Sequence, residues 1–210
     1  MSNPASVAAA EPESFAFTAD NLALAQKIIG RYPPERKASA VIPLLHIAQR
    51  QHDNWLPRAA MDTVAEMLGM PPIRVYEVAT FYTMYNHQPV GKHLIEVCTT
   101  TPCWLRGSDA VLGACKKRLG IGPGETTADG KFTVIEVECA GACVNAPVVA
   151  IGDDYYEDLD AASMEALIDA LDRGETPKPG SQTGRRNSCP AGGPTTLTNA
   201  APPPAAGSDD

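Results

Sequence analysis

Four cysteines fall into two close pairs. Cys98-Thr-Thr-Thr-Pro-Cys103 is a C-x4-C, Cys139-Ala-Gly-Ala-Cys143 is a C-x3-C, and 35 residues separate the pairs. A [2Fe–2S] cluster needs two thiolates on each of two irons, and two loops with two cysteines each match that demand. Structural zinc also accepts four cysteines, usually from C-x2-C to C-x4-C knuckles with short turns. Two disulfides or a redox-active pair are further uses, although C-x4-C is not the C-x-x-C redox spacing. Spacing alone supports a metal site and leans towards iron–sulfur.

The residues between the cysteines fit that chemistry. An all-thiolate cluster is anionic, so its sulfurs must be met by N–H and O–H donors. Thr99, Thr100 and Thr101 offer hydroxyls and amides, while Ala140-Gly141-Ala142 offers small side chains that let backbone approach closely. Asn145 and Pro147 read as the turn into a following strand. Neither loop contains a histidine or carboxylate.

The other two cysteines stand apart. Cys115 shares a helix face with Leu112 and Leu119 and reads as inert core; Cys189 reads as a free thiol without a role. His46 lies among apolar residues as a core or interface histidine, and His52, His87 and His93 are scattered without ligand spacing. We find no catalytic set: no Ser-His-Asp, P-loop or G-x-G-x-x-G, hence no visible site for NAD, flavin or quinone. An electron carrier of this kind works beside a subunit that has such a site.

Elements to position the cysteines follow from periodicity. From Thr18 to about Tyr82 the pattern is helical. Leu22, Ala25, Ile29 and Tyr32 share one face with Thr18 as N-cap, and Val41, Leu44, Leu45 and Ala48 share another. A third helix opens at Pro57 and stops near Gly69, and a fourth follows Pro71–Pro72. After Gly91 the texture changes: 93–98 and 132–137 alternate like strands, 147–151 is a short buried strand, and 153–156 a fourth. One helix stepping through Leu105, Ser108, Leu112, Cys115 and Leu119 joins the first two strands, and a last helix spans 160–172. The expected fold class is α+β, with four parts: a disordered lead over 1–16, a helical bundle over 17–90, a small α+β domain over 91–174, and an extended or disordered Pro/Gly/Ser-rich tail over 175–210.

Residues 132–172 carry ten acids and no Lys or Arg, a charge of −10 within a chain of −8, so the remainder is +2. Such a surface repels phosphate backbones, which argues against nucleic acid. It is either a solvated acidic face or a dock for a basic partner. No apolar run approaches the ~20 residues of a membrane span, so direct insertion is not expected. The N-terminus resembles neither a secretory signal nor a mitochondrial presequence, and the chain is expected to stay where it is made.

The sequence resembles the 24-kDa-type [2Fe–2S] subunits of respiratory complex I, NADH:quinone oxidoreductase, in their bacterial form. The resemblance covers roughly Phe15 to Gly174. It is carried by SAVIPLLHIAQ (39–49), YEVATFYTMYN (76–86), EVCTTTPCWLRG (96–107), VECAGACVNAPVV (137–149) and DDYYEDL (153–159). The family's cluster ligands fall on Cys98, Cys103, Cys139 and Cys143. The resemblance implies a thioredoxin-like ferredoxin domain behind the helical bundle and one [2Fe–2S] cluster. It also implies FMN and NADH on a partner subunit, further peripheral-arm partners, and a place on the cytoplasmic side of the bacterial inner membrane. The chain would then be an electron-transfer subunit of an NADH dehydrogenase (a translocase), without a complete active site of its own. The same module in a soluble NAD-dependent formate dehydrogenase or hydrogenase is the near alternative; a zinc-stabilised interaction module is the distant one.

Two expectations concern tuning and contact. The −10 segment surrounds the second cysteine pair in sequence, with Glu136 and Glu138 just before Cys139, and its fixed negative charge disfavours adding an electron. Phe81, Tyr82 and Tyr85 join the two structured parts and pack either internally or against a partner.

Overall fold

Thr18 starts the first helix as expected: its hydroxyl accepts from the Asn21 amide, 3.3 Å away. The computed structural model describes residues 11–193 and residue 196. Four helices, α1 (Ala19–Ile29), α2 (Val41–Gln51), α3 (Arg58–Leu68) and α4 (Pro72–Phe81), close around one core, with a 3-10 turn at Pro34–Ala40 before α2. Leu44, Leu45, Leu56, Val64, Leu68 and Val75 are its largest fully buried side chains. Leu22, expected on the inward face of α1, is exposed, and Ala25 alone of that helix is buried. Gly69 ends α3 in the left-handed conformation, at φ +62°, where a side chain would be strained.

Part of the expected disordered lead over 1–16 packs on this core. Residues 1–10 lie outside the described residues, but 11–16 run along this core. The Thr63 hydroxyl donates to the Phe15 carbonyl at 3.0 Å and the Gln51 amide group to the Ala16 carbonyl at 2.9 Å. The Phe15 and Phe17 rings meet edge-on at 5.2 Å and pack on the core. Two phenyl rings carry enough apolar area to hold a segment whose remaining composition reads as disordered.

Gly91 marks the change of texture for a steric reason. A Cβ there would lie 2.6 Å from the Phe132 carbonyl carbon. Its amide donates to Thr133 Oγ1 at 2.6 Å, tying the start of the second half to its own sheet. The sheet has six strands: β1 (His93–Cys98), β2 (Glu125–Thr126), β3 (Phe132–Val137), β4 (Val149–Ile151), β5 (Asp154–Glu157) and β6 (Gly180–Ser181), in the order β2-β3-β1-β4-β5-β6. β1 and β3 are parallel, paired from His93 with Phe132 to Cys98 with Val137. The chain therefore leaves both strands at the same edge, and that is where the two cysteine loops begin.

The helix expected from Leu105 to Leu119 is two helices. Gly107, at φ +101°, separates α5 (Thr101–Leu105) from α6 (Ser108–Leu119). Leu105 is exposed, and the buried face of α6 is Ser108, Val111, Ala114 and Cys115. A further helix, α7 (Ala161–Asp172), opens with a capping box between Asp160 and Ser163 and packs beside α6 over Ile95, Val97, Val134 and Val149.

The acidic run is answered in part by cations from elsewhere. Arg50 pairs with Asp153, Lys117 with Glu165, Arg118 with Asp169, Lys131 with Asp172 and Arg185 with Asp158. Half of the ten acids are thus paired, so the charge run is not a continuous acidic face. Among the described residues, no helix is long and apolar enough to cross a membrane.

Candidate metal centre

Cys98 is the last residue of β1, and Cys103 lies in the short helix that follows; both are buried. Cys139 follows β3 by two residues, Cys143 opens a 3-10 turn over Cys143–Asn145, and both are exposed. Cys98 and Cys103 pack with Ala146 and Val148, and Val137, Ala140 and Ala142 border them. The sulfurs of Cys139 and Cys143 are 3.4 Å apart. Ala146–Pro147, after the second loop, is a cis peptide.

Donors from both loops converge on the sulfurs. Burial pushes the Cys98 thiol up, but the Thr100 hydroxyl, the Ala140 and Thr100 amides and Cys103 outweigh it and hold it below the ordinary thiol value. The Gly141 amide, then Cys143 and the Thr100 hydroxyl, lower Cys139. Cys103 is pushed up to about 11, first by burial and then by its hydrogen bond with Cys98. Cys143 is raised by its hydrogen bond with Cys139. Each pair thus holds one thiol shifted down and one shifted up from the ordinary value. Gly141 donates from φ +82°, a conformation that needs glycine.

Among the described residues, no three His, Cys, Asp or Glu are gathered as tightly as one metal ion requires. Four sulfurs around a single zinc each lie ~2.3 Å from one point. Donors on sulfur from Thr100, Ala140 and Gly141 are what an anionic all-thiolate cluster demands.

The remaining candidates separate from this centre. Cys115 is buried in the sheet core, its thiol pushed up to about 11 by burial. His46 packs on Tyr85 with ring centroids 5.2 Å apart, and His87 Nε2 lies 3.0 Å from the Ala79 carbonyl. Thr100 serves both loops, which three consecutive threonines could not reveal. The charged residues behind the second loop, Asp158 and Arg185, were also not apparent; the adjacent Arg185-Arg186 in a tail otherwise poor in charge was their one signal.

A centre of paired cysteines at a sheet edge, ringed by donors to sulfur, defines an electron carrier of the ferredoxin class. The chain belongs to the thioredoxin-like [2Fe-2S] ferredoxin family, whose model matches residues 25–172, and its cofactor is a [2Fe–2S] cluster. The E subunit of the NADH-quinone oxidoreductase of Rickettsia bellii is 62% identical over 158 residues, covering 75% of this chain and 95% of that protein. The mitochondrial NADH dehydrogenase (ubiquinone) flavoprotein 2 of Dictyostelium discoideum is 50% identical over 187 residues, 89% of this chain and 76% of that protein. Among solved structures, an NAD+-reducing [NiFe]-hydrogenase in the H2-reduced state superposes with a TM-score of 0.54 at 27% identity. That match covers 64% of this chain and only 22% of the hydrogenase chain.

Proposed function

We propose that Cys98, Cys103, Cys139 and Cys143 ligate the [2Fe–2S] cluster, and that the chain serves as the iron–sulfur electron-transfer subunit of NADH:quinone oxidoreductase. The observation that carries this reading is that parallel β1 and β3 deliver both cysteine loops to one sheet edge, where Thr100 Oγ1 lies 3.3 Å from Cys98 Sγ and the Cys139 and Cys143 sulfurs are 3.4 Å apart. A [2Fe–2S] cluster supplies one-electron exchange.

The chain's own residues do the rest. Thr100 and the Ala140 and Gly141 amides stabilise negative charge on sulfur, and Cys98 and Cys103 anchor one side of the centre in the core. The second pair is exposed, and so are the apolar side chains of Trp104 and Leu105, next to Cys103, and of Val144, next to Cys143. A partner seated there excludes water and brings its own redox group within reach. The partner is the subunit holding FMN and NADH, in the peripheral arm on the cytoplasmic side of a bacterial inner membrane. The helical bundle of α1–α4 adds a second docking body.

The test is spectroscopic. Full-length chain reconstituted with iron and sulfide should be red-brown, EPR-silent when oxidised, and EPR-active when reduced. Replacing each of the four cysteines by Ser in turn should abolish or alter that signal, whereas Cys115→Ser and Cys189→Ser should not. A colourless protein that binds zinc and gives no signal on reduction would replace the electron carrier with a structural metal module. The second setting for the same centre, a soluble NAD-linked enzyme, has weak support in the likeness to an NAD+-reducing hydrogenase at 27% identity. The mass of the native complex separates the two.

A further inference from the structure

The segment after Gly174, expected to be free or to order only on a partner, folds back onto its own sheet as far as it is described. Gly180–Ser181 adds β6 parallel to β5, and the Gln182 amide donates to the Glu157 carbonyl at 2.9 Å. Ser181 Oγ donates to Asp158 Oδ2 at 2.7 Å. Arg185 then turns inward: its Nη2 donates to the Asp158 carboxylate and its Nη1 to the Val144 carbonyl at 2.9 Å. The two charged side chains are 11% and 5% exposed.

Every line of this network ends on the turn that carries Cys143. The Asp158 amide donates to the Asn145 carbonyl at 2.7 Å. Asn145 is itself buried, and its Nδ2 donates to Glu157 Oε2 at 2.7 Å and to the Asn187 carbonyl at 2.9 Å. Val144 and Asn145 are the two residues after Cys143 in the same 3-10 turn. So short a turn has little internal hydrogen bonding to hold it. Cys98 and Cys103 are fixed by burial, but Cys139 and Cys143 are exposed and have no core around them. A buried ion pair is costly to desolvate and is a poor way to fasten a mere tail.

We infer that Arg185 is a positioning residue for the metal centre: with Asp158 and Asn187 it straps the Cys143–Asn145 turn so that Cys143 is presented at a fixed place. The inference rests on Cys143 being a cluster ligand.

The test compares reconstituted full-length chain with two variants. The Arg185→Met/Asp158→Asn double variant removes donor and charge without leaving a buried carboxylate unpaired. Arg185→Lys keeps the charge but loses the forked geometry. Arg173→Ala, which breaks the exposed Arg173–Glu175 pair, is the control. Cluster release to a chelator should be about tenfold faster in the double variant, intermediate in the Lys variant and unchanged in the control. The reduced EPR spectrum should shift in the double variant while thermal unfolding of the apoprotein moves no more than in the control. Equal release rates and an unshifted spectrum would overturn the strap, as would release that merely tracks a lowered melting temperature. A cluster that survives Cys143→Ser unaltered would instead overturn the ligand assignment, and the strap with it.

Discussion

Thr100 Oγ1 lies 3.3 Å from Cys98 Sγ, and the same hydroxyl helps hold the Cys139 thiol below its ordinary value, so one side chain acts on both cysteine loops. Donors to sulfur favour the more negative, reduced state of an iron–sulfur centre. Thr100→Val, which keeps the shape and removes the donor, should lower the reduction potential by on the order of 30–60 mV in a one-electron step. Thr100→Ser should stay near the parent value. Potentiometric titration followed by EPR measures this, and equal potentials in the Val and Ser variants would show that the Thr100 hydroxyl does not tune the centre.

Glu136 and Glu138 are exposed on either side of Val137, just before Cys139. A unit charge ~10 Å away in a water-like dielectric contributes about 0.4 kcal/mol. Neutralising both, as Glu136→Gln/Glu138→Gln, should raise the potential by on the order of 30 mV. The shift should shrink at high salt, because exposed charges are screened. A potential that does not rise, at low salt, contradicts this.

The three aromatics at the end of α4 and just beyond it divide between the two expected uses. Tyr85 is 4% exposed, gives its hydroxyl to the Ile42 carbonyl at 3.0 Å and packs on His46. Phe81 is 76% exposed and stacks edge-on with Tyr82 at 5.0 Å. Tyr85→Ala should therefore cost about 3 kcal/mol of stability, read from denaturant unfolding. Phe81→Ala/Tyr82→Ala should leave stability and cluster absorbance intact and abolish co-purification with the flavin-binding subunit. Retained co-purification would make that pair ordinary surface.

Stability should fall as pH drops below about 6.5. Burial, then Arg50, holds His46 below its ordinary value of 6.5, and burial, then Lys92 and Lys131, does the same for His93. The unfolded chain therefore binds more protons than the folded one, and the loss starts near 6.5 and continues down through the lower folded values. Glu96, raised by burial above 4.5, acts in the opposite sense. Urea midpoints at about pH 7.5 and 5.5 should differ less in His46→Gln/His93→Gln than in the parent. Equal slopes would show that the two imidazoles are not the cause.

The legible parts were those set by local rules. Thr18 and Asp160 announce helix starts, Gly69 a helix end, and the alternation at 93–98 and 132–137 two strands whose ends carry cysteines. Parallel pairing of those strands then brings the loops together with no further information. What escaped was decided by contacts across the chain. Leu105 has the spacing of an inward residue, but Gly107 resets the helix axis and leaves it outside. Phe15 and Phe17 sit in a polar, Pro- and Ala-bearing stretch, yet two rings suffice to dock it. The acids of 132–172 look like one face until Arg50, Lys117, Arg118, Lys131 and Arg185 arrive from distant segments. Arg185 itself lies in a stretch whose composition promises no structure, and its burial depends on Asp158 being where β5 ends.

The two hydrophobic cores, one around Leu44 and Val64 and one around Ile95 and Ile168, form separate clusters of buried side chains. Each can melt as its own cooperative unit. A calorimeter should then record two heat-absorption peaks, with the red-brown colour surviving the loss of the four N-terminal helices and bleaching only when the sheet gives way.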